Sequence, residues 1–541
     1  YNIRGWMKNI NNADLNANGL TTDNNSDLFG LELYYTSPLT TDFDCAPQYN
    51  GNITMARWKT SGDASAHGYG YRYDQMNRIT KATYKDYTIV GGEFVYTNAN
   101  RFSMPVITYD DNGNILTMQQ KGYSGSGPTF GDMDNLSYYY KGNLLIGVND
   151  VVADITGGND FSDFGVENTV DPNTPSTFEY LYDNNGNMRK DKHKSIDITY
   201  NIFNLPALVY KNANNKIEYQ YSATGIKLQK KVTQSGAVTT TDYIDNHVYT
   251  NTVLNFFTTD EGRVINNAGT RKYEYYITDH LGNNRVFFTD NDNNGIPELL
   301  QSDDYYPFGL QINRGAITNS NEWMYNGNEL ENEIGLLWYA TEFRNLDPQI
   351  GRWNSVDLLA HVQPDNTPYN FVSNNPINRI DPIGTLDEWV EKDGQMIYDN
   401  RVTNQEDATA LYGKSATYRP IGYKYTASNG AKIELGDYGF YKINGEIKSS
   451  PDLAQNSLAY TNPTQATANA QTSISSVRLS YALPMAIRAG QAADVVALEP
   501  SDLLIWKWVG HGVLFLGTAY YIAKMENEIE GIMRRAGGPQ G

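Results

Sequence analysis

The stretch DNDNNGIPE carries the side chains of a calcium-binding loop. Asp290, Asp292 and Asn294 alternate ahead of a glycine, as oxygen ligands do in the first half of such a loop, and Glu298 stands at the ninth position. Gln301 occupies the twelfth position, where a bidentate glutamate is expected, and no flanking helices are predicted. Two interpretations stay open: a calcium site with these four ligands, and a polar hairpin turn, in which Asn, Asp and Gly are common.

The common catalytic and nucleotide-binding motifs are absent from the sequence. The six histidines are scattered, and the sequence has no Ser/His/Asp or Cys/His set, no Walker motif and no dinucleotide-binding motif. Cys45 is the lone cysteine, so neither an internal disulfide nor a Cys/His metal cluster can form. The formal net charge of -20 argues against a nucleic-acid-binding surface, which needs basic patches. It suits a secreted protein that must stay soluble.

The elements that would position any site are predicted from composition. The chain has 541 residues, among them 42 tyrosines and 47 glycines. Tyrosine packs well on sheets and still presents a polar tip, while Asn-Gly pairs favour tight hairpin turns. The sequence therefore predicts a mainly β protein.

A short motif recurs through the first half of the chain. Its copies are GYRYDQMNRI from Gly70, VITYDDNGNIL from Val106, FEYLYDNNGNM from Phe178, IDITYNIFNLP from Ile196 and IEYQYSATGIK from Ile217. The shared skeleton is aromatic-x-Tyr-Asp-x-x-Gly-Asn-x-hydrophobic, which indicates a strand, a turn and a second strand. One such hairpin is marginally stable alone. We expect the hairpins to form one long sheet that coils and closes on itself; the alternative is an ordinary sandwich.

These Tyr-Asp repeats resemble the RHS/YD-repeat family. The segments YEYYITDHLGNNRVFFTD at 273–290, YYPFGL at 305–310 and YNGNELENEIGLLWYATEFRNLDPQIGRWNSVD at 325–357 resemble its RHS-repeat-associated core domain, which ends at DPIG. The opening YNIRGWMKNINNADL and QYNGNIT at 48–54 resemble the versions found in Bacteroidota. The resemblance implies a hollow β-cage over 1–270, plugged by the core domain over 271–385, that encloses a C-terminal toxin.

In that family the core domain is often an aspartyl protease that cuts its own chain after an Asp-Pro-x-Gly-hydrophobic motif. By this resemblance Arg344 of FRNLDP would be the catalytic arginine, Asp357 of GRWNSVD the first aspartate and Asp381 of DPIG the second. Thr385 replaces the leucine that usually follows the motif, so we predict that any cut falls between Thr385 and Leu386. The plain alternative is that Asp-Pro forms a turn and the arginine pairs with a turn aspartate.

The chemistry implied for these residues is consistent with their types. Two carboxyl groups forced close together cannot both ionise, so one keeps a proton. The charged carboxylate can then take a proton from water while the neutral one donates to the scissile carbonyl. An arginine is permanently charged and can hold one carboxylate ionised or stabilise an oxyanion.

The sequence changes character after the core domain. Residues 386–448 remain β-rich, 449–476 are polar and predict a linker, and 477–541 predict a partly helical segment with an apolar helix over 503–524. The apolar run is shorter than the roughly 20 residues that a spanning helix needs. It could be a buried core helix, a helix packed inside the cage, or a segment that contacts a target membrane.

Two functions follow from the resemblance. The first is a secreted toxin shell that encapsulates its own C-terminal effector segment and releases it by autoproteolysis. The second is a non-enzymatic cell-surface protein for adhesion, gliding or competition. Both imply export across the outer membrane, by resemblance through a type 9 translocon, and the first implies an immunity protein as a partner. The chain begins with Tyr1 rather than Met, so we expect a piece of a longer product, with any toxic domain beyond Gly541.

Overall fold

The structure is a computed structural model. It describes these residues: 2, 6–15, 27–90, 93–97, 100–124, 129–154, 159–164, 170–223, 225–259, 261–267, 269–290, 294–312, 321–358, 360, 366–381, 384, 388–392, 395–399, 417–419, 423–426, 432–435, 440–443, 446–449 and 457–459. All of them belong to the first of two units, 1–477; the second unit, 478–541, contains no described residue.

The strands of the N-terminal part begin with β1 and end with β10. Their bounds are β1 Asn9–Ile10, β2 Phe29–Tyr34, β3 Met55–Thr60, β4 Ala66–Tyr73, β5 Ile79–Val90, β6 Glu93–Thr97, β7 Ile107–Tyr109, β8 Ile115–Tyr123, β9 Phe130–Lys141 and β10 Leu144–Asp150. They form an antiparallel six-stranded sheet, β1 to β6 in order, and a four-stranded sheet ordered β10-β9-β8-β7.

Thirteen consecutive strands form the largest sheet, which we call the repeat sheet. Each strand pairs antiparallel with the next along the chain. Their bounds are β11 Tyr180–Tyr182, β12 Met188–Asp191, β13 Ile196–Tyr200, β14 Pro206–Asn212, β15 Asn215–Tyr221, β16 Lys227–Gln234, β17 Ala237–Ile244, β18 His247–Thr250, β19 Val253–Thr258, β20 Gly262–Asn267, β21 Thr270–Thr278, β22 Asn284–Thr289 and β23 Glu298–Ser302. The prediction of a mainly β protein built from serial hairpins is confirmed.

The rest of the described chain forms three four-stranded sheets. The first, which we call the small sheet, contains β24 Glu329–Glu331, β25 Trp338–Ala340, β26 Asn345–Asp347 and β27 Arg352–Trp353. The strands that follow are β28 Glu388–Lys392, β29 Gln395–Asp399, β30 Thr417–Arg419, β31 Lys424–Thr426, β32 Lys432–Leu435, β33 Phe440–Ile443, β34 Glu446–Ser449 and β35 Ser457–Ala459. They pair in the orders β30-β28-β29-β35 and β31-β32-β33-β34.

Helical structure in the described residues is confined to single 3-10 turns. These are Thr41–Phe43, Pro175–Thr177, Tyr325–Gly327, Glu333–Gly335 and Val372–Asn374. No helix among the described residues has the length and apolar character needed to cross a membrane. The predicted apolar helix over 503–524 lies outside the described residues, as does most of the predicted linker.

The repeat motif folds as a hairpin because its turn is closed by side chains. In the third copy, Oδ1 of Asp183 accepts the backbone N–H of Asn185 and of Asn187, both at 2.9 Å. Its Oδ2 accepts the side-chain amide of Asn187 at 2.9 Å, and Gly186 supplies the φ of +81° that the turn requires. The pattern Asp-x-x-Gly-Asn is therefore a self-contained turn. The same bonds recur between Asp110 and Asn114 and between Asp279 and Asn283.

The motif tyrosine joins each hairpin to the one before it. The hydroxyl of Tyr200 donates to the carbonyl of Met188 at 2.7 Å, and Tyr221 donates to Pro206 at 3.0 Å. Each acceptor is the first residue of the second strand in the preceding hairpin. Tyr109 makes the equivalent bond to Ile79 at 2.6 Å. A polar tip on an aromatic ring thus satisfies a backbone carbonyl while the ring packs on the sheet.

One contiguous apolar cluster runs from Leu28 to Ile377 through the first four sheets. The largest fully buried side chains of the molecule are all aromatic, and most belong to this cluster. They are Trp338, Trp353, Tyr69, Tyr84, Tyr87, Tyr180, Tyr339, Tyr369 and Phe29. Two of these tryptophans lie on the small sheet, which is buried on nearly every residue. The small sheet is therefore held in place from all sides, which fixes the side chains at its ends.

Candidate functional site

The candidate arginine lies in a turn between two strands of the small sheet. Arg344 closes the turn between β25 and β26, where the hydroxyl of Thr341 donates to the Arg344 carbonyl at 2.7 Å. Its guanidinium stacks over the indole of Trp353, with Cζ 4.4 Å from the ring centre. Nη1 donates to the carbonyl of Pro368 at 3.4 Å. The side chain is 2% exposed, so its position is set by packing.

The structure brings the three predicted catalytic residues together. Nη2 of Arg344 donates to Oδ2 of Asp357 at 2.7 Å and to Oδ2 of Asp381 at 3.1 Å. One nitrogen thus bridges two carboxylates that are far apart in sequence. The Asp381 side chain is 1% exposed and that of Asp357 is 11% exposed, so one carboxylate is buried and the other lies nearer to water.

A backbone bond positions Asp357, and a glycine contact follows Asp381. The N–H of Asp357 donates to the carbonyl of Pro368 at 3.0 Å, and Pro368 is also bonded by Arg344. Just after Asp381, Gly384 is buried with a φ of +83°. A Cβ on Gly384 would meet Oγ1 of Thr341 at 2.6 Å and the backbone nitrogen of Arg344 at 3.2 Å. Only glycine fits there, because a side chain would meet both strain and the arginine turn.

The predicted cut lies just beyond this glycine. Thr385 and Leu386 lie outside the described residues. Their approach to the carboxylates therefore stays a prediction. What the described residues establish is that the chain reaches Gly384 in contact with the turn that carries Arg344.

A cavity of about 420 Å³ lies beside the same turn. Residues 340–345 line it together with Tyr219, Tyr221 and Tyr243 of the repeat sheet. Sequence reasoning missed a charged network among its lining residues, which include Lys227, Glu329 and Glu331. There Nζ of Lys227 lies 2.8 Å from Glu329 and 3.1 Å from Glu331.

Lys230 completes that network. Its Nζ lies 2.7 Å from Glu329 and 2.7 Å from Glu333, and its side chain is 2% exposed. Burial alone would favour a neutral Glu329, but Lys227 and Lys230 outweigh it and hold the pKa of that carboxyl well below its usual range. The alternating glutamates of ELENE, all near β24, were the sequence signal for this contact between the repeat sheet and the small sheet.

Two groups of described side chains have the spacing of metal ligands, and the first contains a histidine. Nε2 of His193 lies 3.0 Å from Glu179, and Nδ1 lies 3.5 Å from Asp163. Nδ1 also accepts the backbone N–H of Phe164 at 3.0 Å. A neutral ring in this orientation therefore carries its proton on Nε2 and donates it to Glu179. Both nitrogens are engaged, so the group is a hydrogen-bonded network in this arrangement.

The second group consists of Asp134, Asp150 and Asp160. Three carboxylates are a donor set that calcium favours. Oδ1 of Asp134 accepts the backbone N–H of Phe161 at 2.9 Å, and Oδ2 accepts the Gln120 amide at 3.0 Å. Burial, with the neighbouring Asp160 and Asp150, raises the pKa of Asp134 well above its usual range. The site thus favours a neutral carboxyl held by hydrogen bonds.

The predicted calcium loop is described only in part. Asp292 lies outside the described residues, and Glu298 is the exposed first residue of β23. Oδ1 of Asp290 accepts the N–H of Asn294 at 3.0 Å, and Oδ2 accepts that of Gly295 at 3.1 Å. These bonds are those of a polar turn. The calcium site stays a prediction.

Comparison with known proteins gives structural matches alone. No family model matches the chain, and no curated protein matches it. The chain is similar to the crystal structure of TcdB2-TccC3, at 19% identity and a TM-score of 0.42, over 66% of this chain and 19% of that one. It is similar to a structure of the Photorhabdus luminescens Tc holotoxin pore, at 17% identity and a TM-score of 0.43, over 66% and 18%. A porin-like protein from Bacteroides uniformis ATCC 8492 matches at 11% identity and a TM-score of 0.18, over 44% of this chain and 90% of that one. The chain thus spans about a fifth of the length of the Tc structures it matches.

Proposed function

We propose that this protein is the shell of a secreted RHS-repeat toxin that cuts its own chain after the DPIG motif. One observation carries the proposal: a single nitrogen of buried Arg344 holds the carboxylates of Asp357 and Asp381 together. The family motifs named the same three residues on sequence grounds. Their contact in space supports a shared chemical role.

The roles follow from exposure and charge. Asp357 is the more exposed carboxylate, so it is the one that takes a proton from the attacking water. Asp381 is the more deeply buried carboxyl group, and we assign it as the proton donor to the scissile carbonyl oxygen. Arg344 offsets the charge of the pair and stabilises the oxyanion that forms. The peptide C–N bond then breaks, and the amine leaves with a proton.

The glycine of the motif supports this assignment. Gly384 lies against Thr341 and Arg344 with a φ of +83°. The proposed cut between Thr385 and Leu386 follows this glycine directly in the sequence. Thr385 in place of leucine would slow the reaction if the site prefers an apolar side chain there.

The remaining parts of the proposal rest on the sequence resemblance. The repeat sheet and its neighbours would coil into the wall of a hollow cage, with the small sheet as part of its plug. The C-terminal segment after 385 would be the enclosed cargo. The protein would leave the cell across the outer membrane, through a type 9 translocon, and the producing cell would need an immunity protein against the cargo.

Intact mass under denaturing conditions tests the proposal. We expect the wild type to give two fragments that meet between Thr385 and Leu386, and the Asp357→Asn and Asp381→Asn variants to give one chain. Asp132→Asn is the matched control, because Asp132 pairs with Lys121 on the surface and should leave cleavage unchanged. A single chain in the wild type after prolonged incubation would contradict the proposal.

The second candidate is a non-enzymatic surface protein. It is favoured by the same ion pairs, because a guanidinium that neutralises two carboxylates can have a purely structural role, holding two distant segments together. In that case the wild type and Asp357→Asn both remain uncut, and Asp357→Asn has the lower melting temperature. The two candidates therefore give different results in one pair of measurements.

A further inference from the structure

A buried lysine joins the repeat sheet to the small sheet. Lys194 lies in the turn between β12 and β13, and its Nζ is 3.0 Å from Oδ2 of Asp347, the last residue of β26. The Lys194 side chain is 9% exposed and that of Asp347 is 3% exposed. A primary amine and a carboxyl group are thus held in direct ion-pair contact, away from water.

A third carboxyl group is bonded to the backbone of Lys194. Asp191 is completely buried, and its Oδ1 accepts the backbone N–H of Lys194 at 3.1 Å. Its Oδ2 is buried and has no hydrogen-bond partner among the residues that the structure describes. Burial raises the pKa of Asp191, against the opposing charges of His193 and Lys194. A buried carboxyl group with a raised pKa therefore lies on the turn that carries Lys194.

Neighbouring groups orient the amine and polarise the acid. Both hydrogens of the Gln349 amide are used, on the carbonyls of Asn159 at 3.2 Å and Asp160 at 2.9 Å. Its Oε1 therefore faces Lys194, and accepts from Nζ at 2.6 Å. Asp347 accepts two N–H groups: Oδ2 from the indole of Trp338 and Oδ1 from the backbone of Gln349, both at 3.1 Å.

We propose that Lys194 and Asp347 form an intramolecular isopeptide bond, with Asp191 as the proton-transfer group. The site has the parts that amide formation needs: an amine, a carboxyl group, an acid, and one N–H donor on each oxygen of the carboxyl group. None of the three reacting residues belongs to the Arg344 site. The inference does not depend on the proposed function.

The reaction balances without a cofactor. The Lys194 ammonium passes a proton to the Asp347 carboxylate, which leaves a neutral amine and a neutral acid. Nζ attacks Cγ; the Asp347 oxygen that stays on Cγ becomes the oxyanion and is held by the single N–H donor that faces it, and the other oxygen becomes the departing hydroxyl. Asp191 gives its proton to the departing hydroxyl and takes one from Nζ. The C–O bond breaks, one water leaves, and the product is a neutral amide in place of a buried ion pair, whose desolvation is costly.

The bond would be a covalent link between two sheets in a chain whose lone cysteine cannot form an internal disulfide. It joins positions that are distant in sequence, so it closes a long loop and restricts the unfolded chain. The repeat sheet would then stay attached to the small sheet even when the rest of the protein opens.

Mass spectrometry of the purified chain tests the bond. We expect the wild type to weigh one water less than its sequence, and a protease digest to contain a branched peptide joining residues 194 and 347. The Lys194→Arg and Asp191→Asn variants should show the full sequence mass. Lys190→Arg is the matched control, because Lys190 forms a surface pair with Asp197 on the same hairpin and should keep the deficit.

A second variant keeps the test independent of folding defects. Asp347→Asn preserves the shape of the site, and amide formation from an asparagine releases ammonia instead of water. We therefore expect that variant to weigh one ammonia less than its sequence. Full sequence mass in both the wild type and Asp347→Asn, with linear peptides at both positions, would overturn the proposal. Cleavage near Thr385 leaves both residues in one fragment, so its mass reports the bond whether or not that cleavage occurs.

Discussion

The repeat sheet and the small sheet are both antiparallel, yet they are held together in different ways. Turns in the repeat sheet close on their own side chains, as Asp183 does with Asn187, and hairpins join by one tyrosine bond each. The small sheet has short strands whose polar ends are satisfied from elsewhere in the chain, as Glu329 is by Lys227 and Lys230. Local bonds thus build the repeat sheet, whereas long-range ion pairs anchor the small sheet.

The largest expected loss of stability comes from removing a long-range ion pair. Lys230→Met would leave Glu329 and Glu333 with one fewer buried cation, and we expect about 3 kcal/mol less free energy of unfolding. Lys190→Met removes a cation of the same sheet from a surface pair with Asp197, and should cost less than about 1 kcal/mol. Urea unfolding of both variants measures the difference. Equal losses would show that burial does not set the strength of these pairs.

Gly384→Ala should act on both stability and cleavage. A φ of +83° costs an L-residue about 1–2 kcal/mol, and contact with Thr341 adds to it. Gly269→Ala is the matched control, since Gly269 has a φ of +89° and open space around its Cβ position. We expect Gly384→Ala to lose more stability than the control and to slow the proposed cleavage. Unchanged cleavage would separate the glycine contact from the chemistry.

Stability should fall as pH rises toward neutrality because of a buried carboxyl group, Asp303, directly after β23. Burial raises the pKa of Asp303 to about 7 from 3.8, so folding favours its protonated form. Its stabilising contribution is complete at low pH and is lost as pH rises through about 7. We expect a loss of about 2 kcal/mol from about pH 5 to about pH 7.5. In Asp303→Asn this part of the pH dependence should be absent; thermal melts at the two pH values measure it.

The smallest expected effect tests the bond between hairpins. Tyr200→Phe removes the hydroxyl that donates to Met188, and we expect a loss of about 1 kcal/mol. Tyr210→Phe is the control, because that ring is exposed and its loss should be near zero. If both variants unfold alike, the motif tyrosine acts through ring packing alone.

Much of the architecture could be predicted because its causes are local. Strand alternation and the Asp-x-x-Gly-Asn turn predicted the hairpins that form β11 to β16, and the mainly β class is confirmed. The network of Lys227, Lys230 and Glu329 was missed, because a lysine in one repeat gives no sign of which distant glutamate it meets. The spacing of glutamates in ELENE was visible, but its partner was not.

The sequence by itself determined the turns and the alternation of the strands, because short-range hydrogen bonds and side-chain types fix those features. Arg344, Asp357 and Asp381 became candidates through the resemblance of their motifs to the RHS family. Tertiary structure alone decided that one guanidinium nitrogen bridges both carboxylates and that Lys194 faces Asp347. Both contacts join residues from separate elements. Their distances depend on how the sheets pack around a shared core, which no short stretch of sequence encodes.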